Sequence, residues 1–139
     1  MNDYDNEVSS PCMLKTKVLH EILNEAHSSD IVGIVLMTLE GSLVAYTNRN
    51  TDEDSTSSAA IASNIWSSYV HLGQMVLYSD DLDMIMIDGK DGQVVISNAA
   101  NMLLCIFAKP SAAMGLIKAK AQILCRHLDK PLRSLKQQG

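Results

Sequence analysis

A chain of 139 residues with 47% hydrophobic content has the length for one domain with an ordinary core, and its composition lies far from the disordered range. Its net charge is −5 and its eleven basic residues are thinly spread, which excludes the phosphate-neutralising cluster that nucleic acid or an anionic membrane surface requires. The three cysteines form no chelating pair, and the longest apolar run, residues 102–108, is far short of the ~20 residues of a spanning helix.

Residues 1–12 are polar and acidic without apolar periodicity, and predict a disordered leader. A domain is expected from 13 to 132, with a frayed tail over 133–139. Leu14, Val18, Leu19, Ile22, Leu23 and Ala26 recur at three- and four-residue steps, which predicts an amphipathic helix over about 14–27. The β-branched run 31–39, the Glu40-Gly41 turn signal and the segment 43–46 predict a β-hairpin. Residues 47–58 contain no apolar side chain and predict a loop running into a helix start.

The second predicted helix covers residues 59–72. Setting Ala59 to zero and advancing about 100° per residue, Val70 falls near 20° and Ile61 near 200°. Ala62, Ile65, Trp66, Tyr69 and Leu72 fall between them, while Ser63, Asn64, Ser67, Ser68 and His71 fill the other half. The apolar arc is wider than the ~100° stripe that one packing surface needs. Such a helix calls for two burial partners, of which its own sheet is one and another chain is a candidate for the second.

Residues 82–87, the turn Asp88-Gly89-Lys90-Asp91-Gly92 and residues 93–96 predict a second hairpin. Residues 102–108 are apolar at every position, as in a central strand covered on both faces. Pro110 ends that strand. Ile117, Ala121, Leu124 and Leu128 predict a last helix over about 111–129, stopping near Pro131. The order helix, two strands, helix, three strands, helix predicts an α+β domain: a five-stranded antiparallel sheet between helical layers.

Searching for chemistry yields little. His20, His27, His71 and His127 lack ligand spacing, and the acidic groups do not match a calcium loop. No phosphate-binding glycine pattern occurs, and Leu39-Glu40-Gly41-Ser42-Leu43 is not a nucleophile elbow. Cys105 lies inside the most apolar strand, where a thiol behaves as an inert small hydrophobe. Without nucleophile, base and orienting group together, no catalysis, cofactor or metal is expected.

The segments Ala59–Trp66 (AAIASNIW), Ala100–Cys105 (ANMLLC), Lys118–Gln122 (KAKAQ) and Glu40–Tyr46 (EGSLVAY) resemble the roadblock/dynein light-chain superfamily. Within it they resemble the family of second subunits of the Ragulator complex, over residues 13 to about 132. The resemblance implies a roadblock/profilin-like three-layer α-β-α sandwich and a non-catalytic scaffold. It implies a heterodimer with a sister roadblock subunit, formed through the second helix and the strand at 82–87 so that two sheets become one. It further implies a lipid-anchored subunit that holds the pair on the cytosolic face of late endosomes and lysosomes. Docking of Rag GTPases and support of mTOR and MAP-kinase signalling follow from the same likeness. A dynein-associated light chain or a homodimeric small-GTPase regulator is the alternative within the fold.

The residues themselves agree with a partner face. An open antiparallel sheet leaves an edge to be covered, and Met84, Ile85 and Met86 beside the single charge of Asp83 would make a weakly guarded one. Trp66 and Tyr69 are residue types that anchor interfaces, although half of the arc must face the chain's own sheet. The expected interface set is therefore Ala62, Ile65, Trp66, Tyr69, Met84, Ile85 and Met86.

Overall fold

The computed structural model describes residues 11–48, 52–78 and 81–138. The leader expected over residues 1–12 lies outside these except for Pro11 and Cys12, which open the first helix. That helix, α1 (Pro11–Glu25), starts on the residue whose missing N–H costs least in a first turn. Leu19 and Leu23 are fully buried on its inner side. Its last turn tightens through Ala26 N to Leu23 O and His27 N to Asn24 O, both 3.2 Å. The Lys120 ammonium donates to the Ala26 carbonyl at 2.9 Å, placing a cation where the helix dipole favours one.

The strands are β1 (Ile31–Thr38), β2 (Leu43–Asn48), β3 (Met84–Gly89), β4 (Gly92–Ala99) and β5 (Met102–Ala108). They form one sheet in the order β2-β1-β5-β4-β3, with each neighbouring pair antiparallel. The two apolar runs lie at its centre. In β1, Ile34 and Leu36 face one core while Val35 and Met37 face the other; in β5, Leu104 and Ile106 oppose Leu103 and Cys105 in the same way. All eight are fully buried, which is why these strands read as continuous rather than alternating apolar segments. Gly33 adjoins a register shift between β1 and β5, a place where a small residue eases the irregularity.

Two helices cover one face. These are α1 and α3 (Met114–Gln138), closing a core that includes Leu19, Leu23, Ile117, Ala121, Leu124, Leu128 and Leu132. The other face has a single helix, α2 (Asp52–Val76), over a smaller core with Ala59, Ala62 and Trp66. The fold is thus the expected three-layer arrangement, and its element order is the expected one.

Both α2 and α3 outrun the sequence-based reading. Residues 52–58, expected to be a loop, belong to α2. They have no apolar face of their own, so the packed segment from Ala59 onward propagates the helix backwards. The last helix, expected to stop near Pro131, continues through it to Gln138. Leu128 and Leu132 are both buried, so packing on either side of the proline offsets the hydrogen bond it removes.

Candidate partner interface

The sheet is covered unequally. One helix cannot span five strands, and α2 packs over β1, β2 and β5. The β3 edge and the adjoining sheet face are left beside it. Of β3, only Ile85 is buried; Met84 is half-buried, and the remaining residues are exposed. The backbone of β3 pairs with β4 on one side and is the end of the strand order on the other, so its outer row of N–H and C=O groups is a template for another strand.

On α2 the wide arc divides into two. Ala59, Ala62, Ser63 and Trp66 are buried on the chain's own sheet. The adjoining stripe points outwards: Ile61 is 60% exposed, Tyr69 51%, Leu72 50% and Val76 61%, with Ile65 half-buried among them. Solvent-exposed apolar side chains in one continuous line are costly unless something covers them. Two grooves flank the stripe. One, of about 140 Å³, lies between α2 and the sheet and is lined by Ile61, Ile65, Ile87, Val94 and Phe107. The other, of about 310 Å³, lies under the last turns of α2 and is lined by Tyr69, Leu72, Val76, Leu77 and Leu82.

The residues expected at an interface are therefore not equivalent. Tyr69 and Met86 are exposed, whereas Ile65 and Met84 are half-buried. Ala62, Trp66 and Ile85 are at most 8% exposed and belong to the core under α2. Met84 packs against the opposite core, because neighbouring strand residues alternate faces. The expected set omits Ile61, Leu72, Val76 and Ile87, all exposed. The helical arc already contained the first two; the length of α2 and the side of β3 that faces it were needed for the others.

Ser63 corrects the helical-wheel reading. It was assigned to the solvent half, yet it is 6% exposed and its hydroxyl donates to the Leu39 carbonyl at 2.6 Å. A serine that satisfies a turn carbonyl can occupy a buried helix face without leaving a polar group unpaired.

Little on the described residues resembles reaction machinery. No group of three or more His, Cys, Asp and Glu is placed to hold a metal among them. Burial pushes the Cys105 thiol up to about 12, far from the thiolate a nucleophile needs. Burial also raises Cys125, against a hydrogen bond with Ser97 that lowers it; the two side chains meet at 3.3 Å. His20 lies with Nδ1 3.2 Å from the Tyr46 carbonyl and its ring edge-on to the Tyr46 ring at 6.0 Å, a packing arrangement. Among the described residues no helix is long and apolar enough to cross a membrane.

The model of the Roadblock/LC7 domain matches residues 19–108. The chain belongs to the Roadblock/LC7 family. Among curated relatives of this Roadblock/LC7 chain, the Ragulator complex protein LAMTOR2 homolog of Caenorhabditis elegans is 30% identical over 125 residues, covering 88% of this chain and 96% of the relative. Among solved structures, the Roadblock/LC7 domain from Streptomyces avermitilis superposes with a TM-score of 0.76 at 14% identity, covering 82% of this chain and 97% of that one. The gliding protein MglB from Thermus thermophilus gives 0.78 at 14% identity, covering 86% and 92%. These two likenesses carry the fold.

Proposed function

We propose that this Roadblock/LC7 chain is a non-catalytic adaptor subunit of a Ragulator-type complex. It pairs with a sister roadblock chain through α2 and the β3 edge. A lipid-anchored subunit holds the pair on the cytosolic face of late endosomes and lysosomes, where the assembly docks Rag GTPases and supports mTOR and MAP-kinase signalling. The observation that carries this reading is the 30% identity to the LAMTOR2 homolog, which extends over nearly all of both chains.

The exposed apolar line on α2 supports it from physical grounds. Edge pairing by β3 together with coverage of that line would bury roughly 1,600 Å² in total, the size of a stable specific interface. In this reading Ile65, Tyr69 and Met86 touch the partner directly. Ala62, Trp66 and Ile85 fix the height of α2 and β3 from beneath, and Met84 holds the edge strand to the α3 side.

The test is purification of the tagged chain from its native cells with identification of what accompanies it. A sister roadblock chain and Rag GTPases are expected. Recovery of dynein intermediate chain in their place, or of no roadblock partner at all, overturns the reading.

A further inference from the structure

We infer that the seam between α1 and α3 docks an amphipathic helix of a further protein, one whose apolar stripe carries carboxylates along one flank and cations along the other. The seam lies on the opposite side of the sheet from α2, so a helix seated there leaves α2 and the β3 edge untouched. The helices α1 and α3 pack side by side, yet they do not close over their outer junction. A groove of about 290 Å³ runs between them, with Ile22 and Ala26 on one wall and Ile123 and Leu124 on the other. Large apolar side chains continue it at both ends. Val18, one turn before Ile22, is 41% exposed; Ile123 is 46% exposed and Leu116, two turns before it, 55%. Two parallel apolar walls with a trough between them are what the ridge of a third helix fills.

The two banks of the groove differ in charge. Glu25 lines it on the α1 side, and Glu21, one turn earlier on the same side of that helix, is exposed. On the α3 side His127 lines it, and Arg126 and Lys130, both exposed, stand on the side of the helix next to Ile123. Between Met114 and Ser134 the chain has five basic residues against the single acid Asp129, which is itself paired with Arg133 at 2.9 Å. Among the described residues no ion pair crosses the seam. Lys120 is engaged otherwise: its bond to the Ala26 carbonyl holds the two walls at their spacing.

The apolar walls alone would accept any greasy helix, and the banks decide which one. Carboxylates facing Arg126 and Lys130, with cations facing Glu21 and Glu25, gain on both flanks, as at the flanking positions of a coiled coil. A helix acidic on both flanks gains on one and is repelled on the other. Turning the matched helix end for end exchanges its flanks and sets like charge against like. The banks therefore select both the partner and the direction in which it lies.

Fluorescence anisotropy of the full-length chain with labelled synthetic helices tests this. The probe is a peptide of about 18 residues with leucines at three- and four-residue steps, glutamates along one flank and lysines along the other. One control carries glutamate on both flanks; the other scrambles the probe. The probe is expected to bind with a Kd of about 10 μM, about tenfold tighter than either control. Glu21→Lys with Glu25→Lys, both at exposed positions, is expected to reverse the order, the doubly acidic peptide then binding about tenfold tighter than the probe. The same change of charge at exposed Asp88 and Asp91, in the β3–β4 hairpin, should leave the order as it was. Ile123→Asp should abolish binding. Equal binding of probe and controls overturns the inference, as does an order that Glu21→Lys with Glu25→Lys leaves unchanged while circular dichroism stays native. Reversal by the hairpin substitutions, or binding that survives Ile123→Asp, overturns it too. Binding that appears only after removal of residues 1–10 would give the groove to the chain's own N-terminal segment, and self-association dissolved by Ile123→Asp would give it to a second copy; either result overturns the inference.

Discussion

The Ser63 hydroxyl donates at 2.6 Å to the backbone carbonyl of Leu39, and so joins α2 to the turn between β1 and β2. The same junction limits Gly41, which has φ +98 and where an added Cβ would come 3.2 Å from the Ser63 Cβ. Ser63→Ala leaves the carbonyl without its donor and is expected to cost about 1 kcal/mol. Gly41→Ala adds a left-handed backbone penalty to the crowding and should cost more, about 1–3 kcal/mol. Urea denaturation of the two variants measures both, and equal midpoints for wild type and Gly41→Ala would show the junction to be loose.

This junction also shows what the sequence conceals. A continuous apolar run announced β5 as a central strand, β-branched content announced β1 only as an arm of a hairpin, and three-four spacing announced all three helices, because those signals are written in hydrophobicity. Ser63 is buried through a hydrogen bond to a residue 24 positions away, which no local pattern records. The first turns of α2 and the passage of α3 through Pro131 likewise depend on packing elsewhere. For the candidate interface, the width of the arc on α2 was legible, but its division was not. Which half lies on the sheet is set by where α2 crosses it, and that placed Trp66 inside while leaving Ile61 and Leu72 outside.

Gln93 is 4% exposed and its amide donates to the carbonyls of Pro110 at 3.1 Å and Ala112 at 2.6 Å. It ties β4 to the segment that leads into α3. Gln93→Glu faces those carbonyls with an acceptor and is expected to destabilise by about 2–4 kcal/mol, whereas Gln93→Leu loses the bonds without adding repulsion and should cost about 1–3 kcal/mol. Thermal unfolding should rank Glu below Leu below wild type; the reverse order for the two variants would refute the donor role.

Ala100 and Asn101 form the turn between β4 and β5 with φ values of 51 and 66, the double left-handed conformation of a tight hairpin. Asn101 tolerates it, and its N–H bonds the Asn98 side chain at 3.0 Å. Alanine does not tolerate it as well. Ala100→Gly is expected to stabilise by about 0.5–1 kcal/mol, the relieved strain being offset in part by a looser unfolded chain. A melting temperature unchanged or lowered would contradict this.

Burial holds the Cys105 thiol at about 12 against an ordinary value of 9.0. The folded state keeps the neutral form, while the unfolded chain ionises once the pH passes the ordinary value. The stabilisation associated with this thiol is therefore complete below pH 9.0 and declines as pH rises towards 12, by up to about 1.4 kcal/mol per unit. Comparison with Cys105→Ala isolates the effect, since other groups titrate alike in both proteins. The stability gap between wild type and variant should narrow from about pH 8 to about pH 10.5, read from urea midpoints at each pH. A gap constant over that range would mean the thiol is not desolvated.

The two faces of α2 make separable demands on partner and fold. Tyr69 and Met86 are about half exposed at 51% and 47%, so a lysine at either costs the isolated chain little, yet in the proposed pair it buries an unpaired ammonium. Each of Tyr69→Lys and Met86→Lys is expected to weaken capture of the sister chain by about 2 kcal/mol or more, roughly thirtyfold, at an unchanged melting temperature. Ile65→Asp, half-buried at the centre of the line, should lose both partner and some stability. Ser67 is exposed and lies away from the apolar line, so Ser67→Ala should bind as the wild type does. The contrast is what carries weight: loss of binding by Ser67→Ala, or retention of it by Tyr69→Lys and Met86→Lys together, would move the partner to another surface, since neither the outer side of α2 nor the β3 edge can accept a lysine and remain the buried centre of an interface.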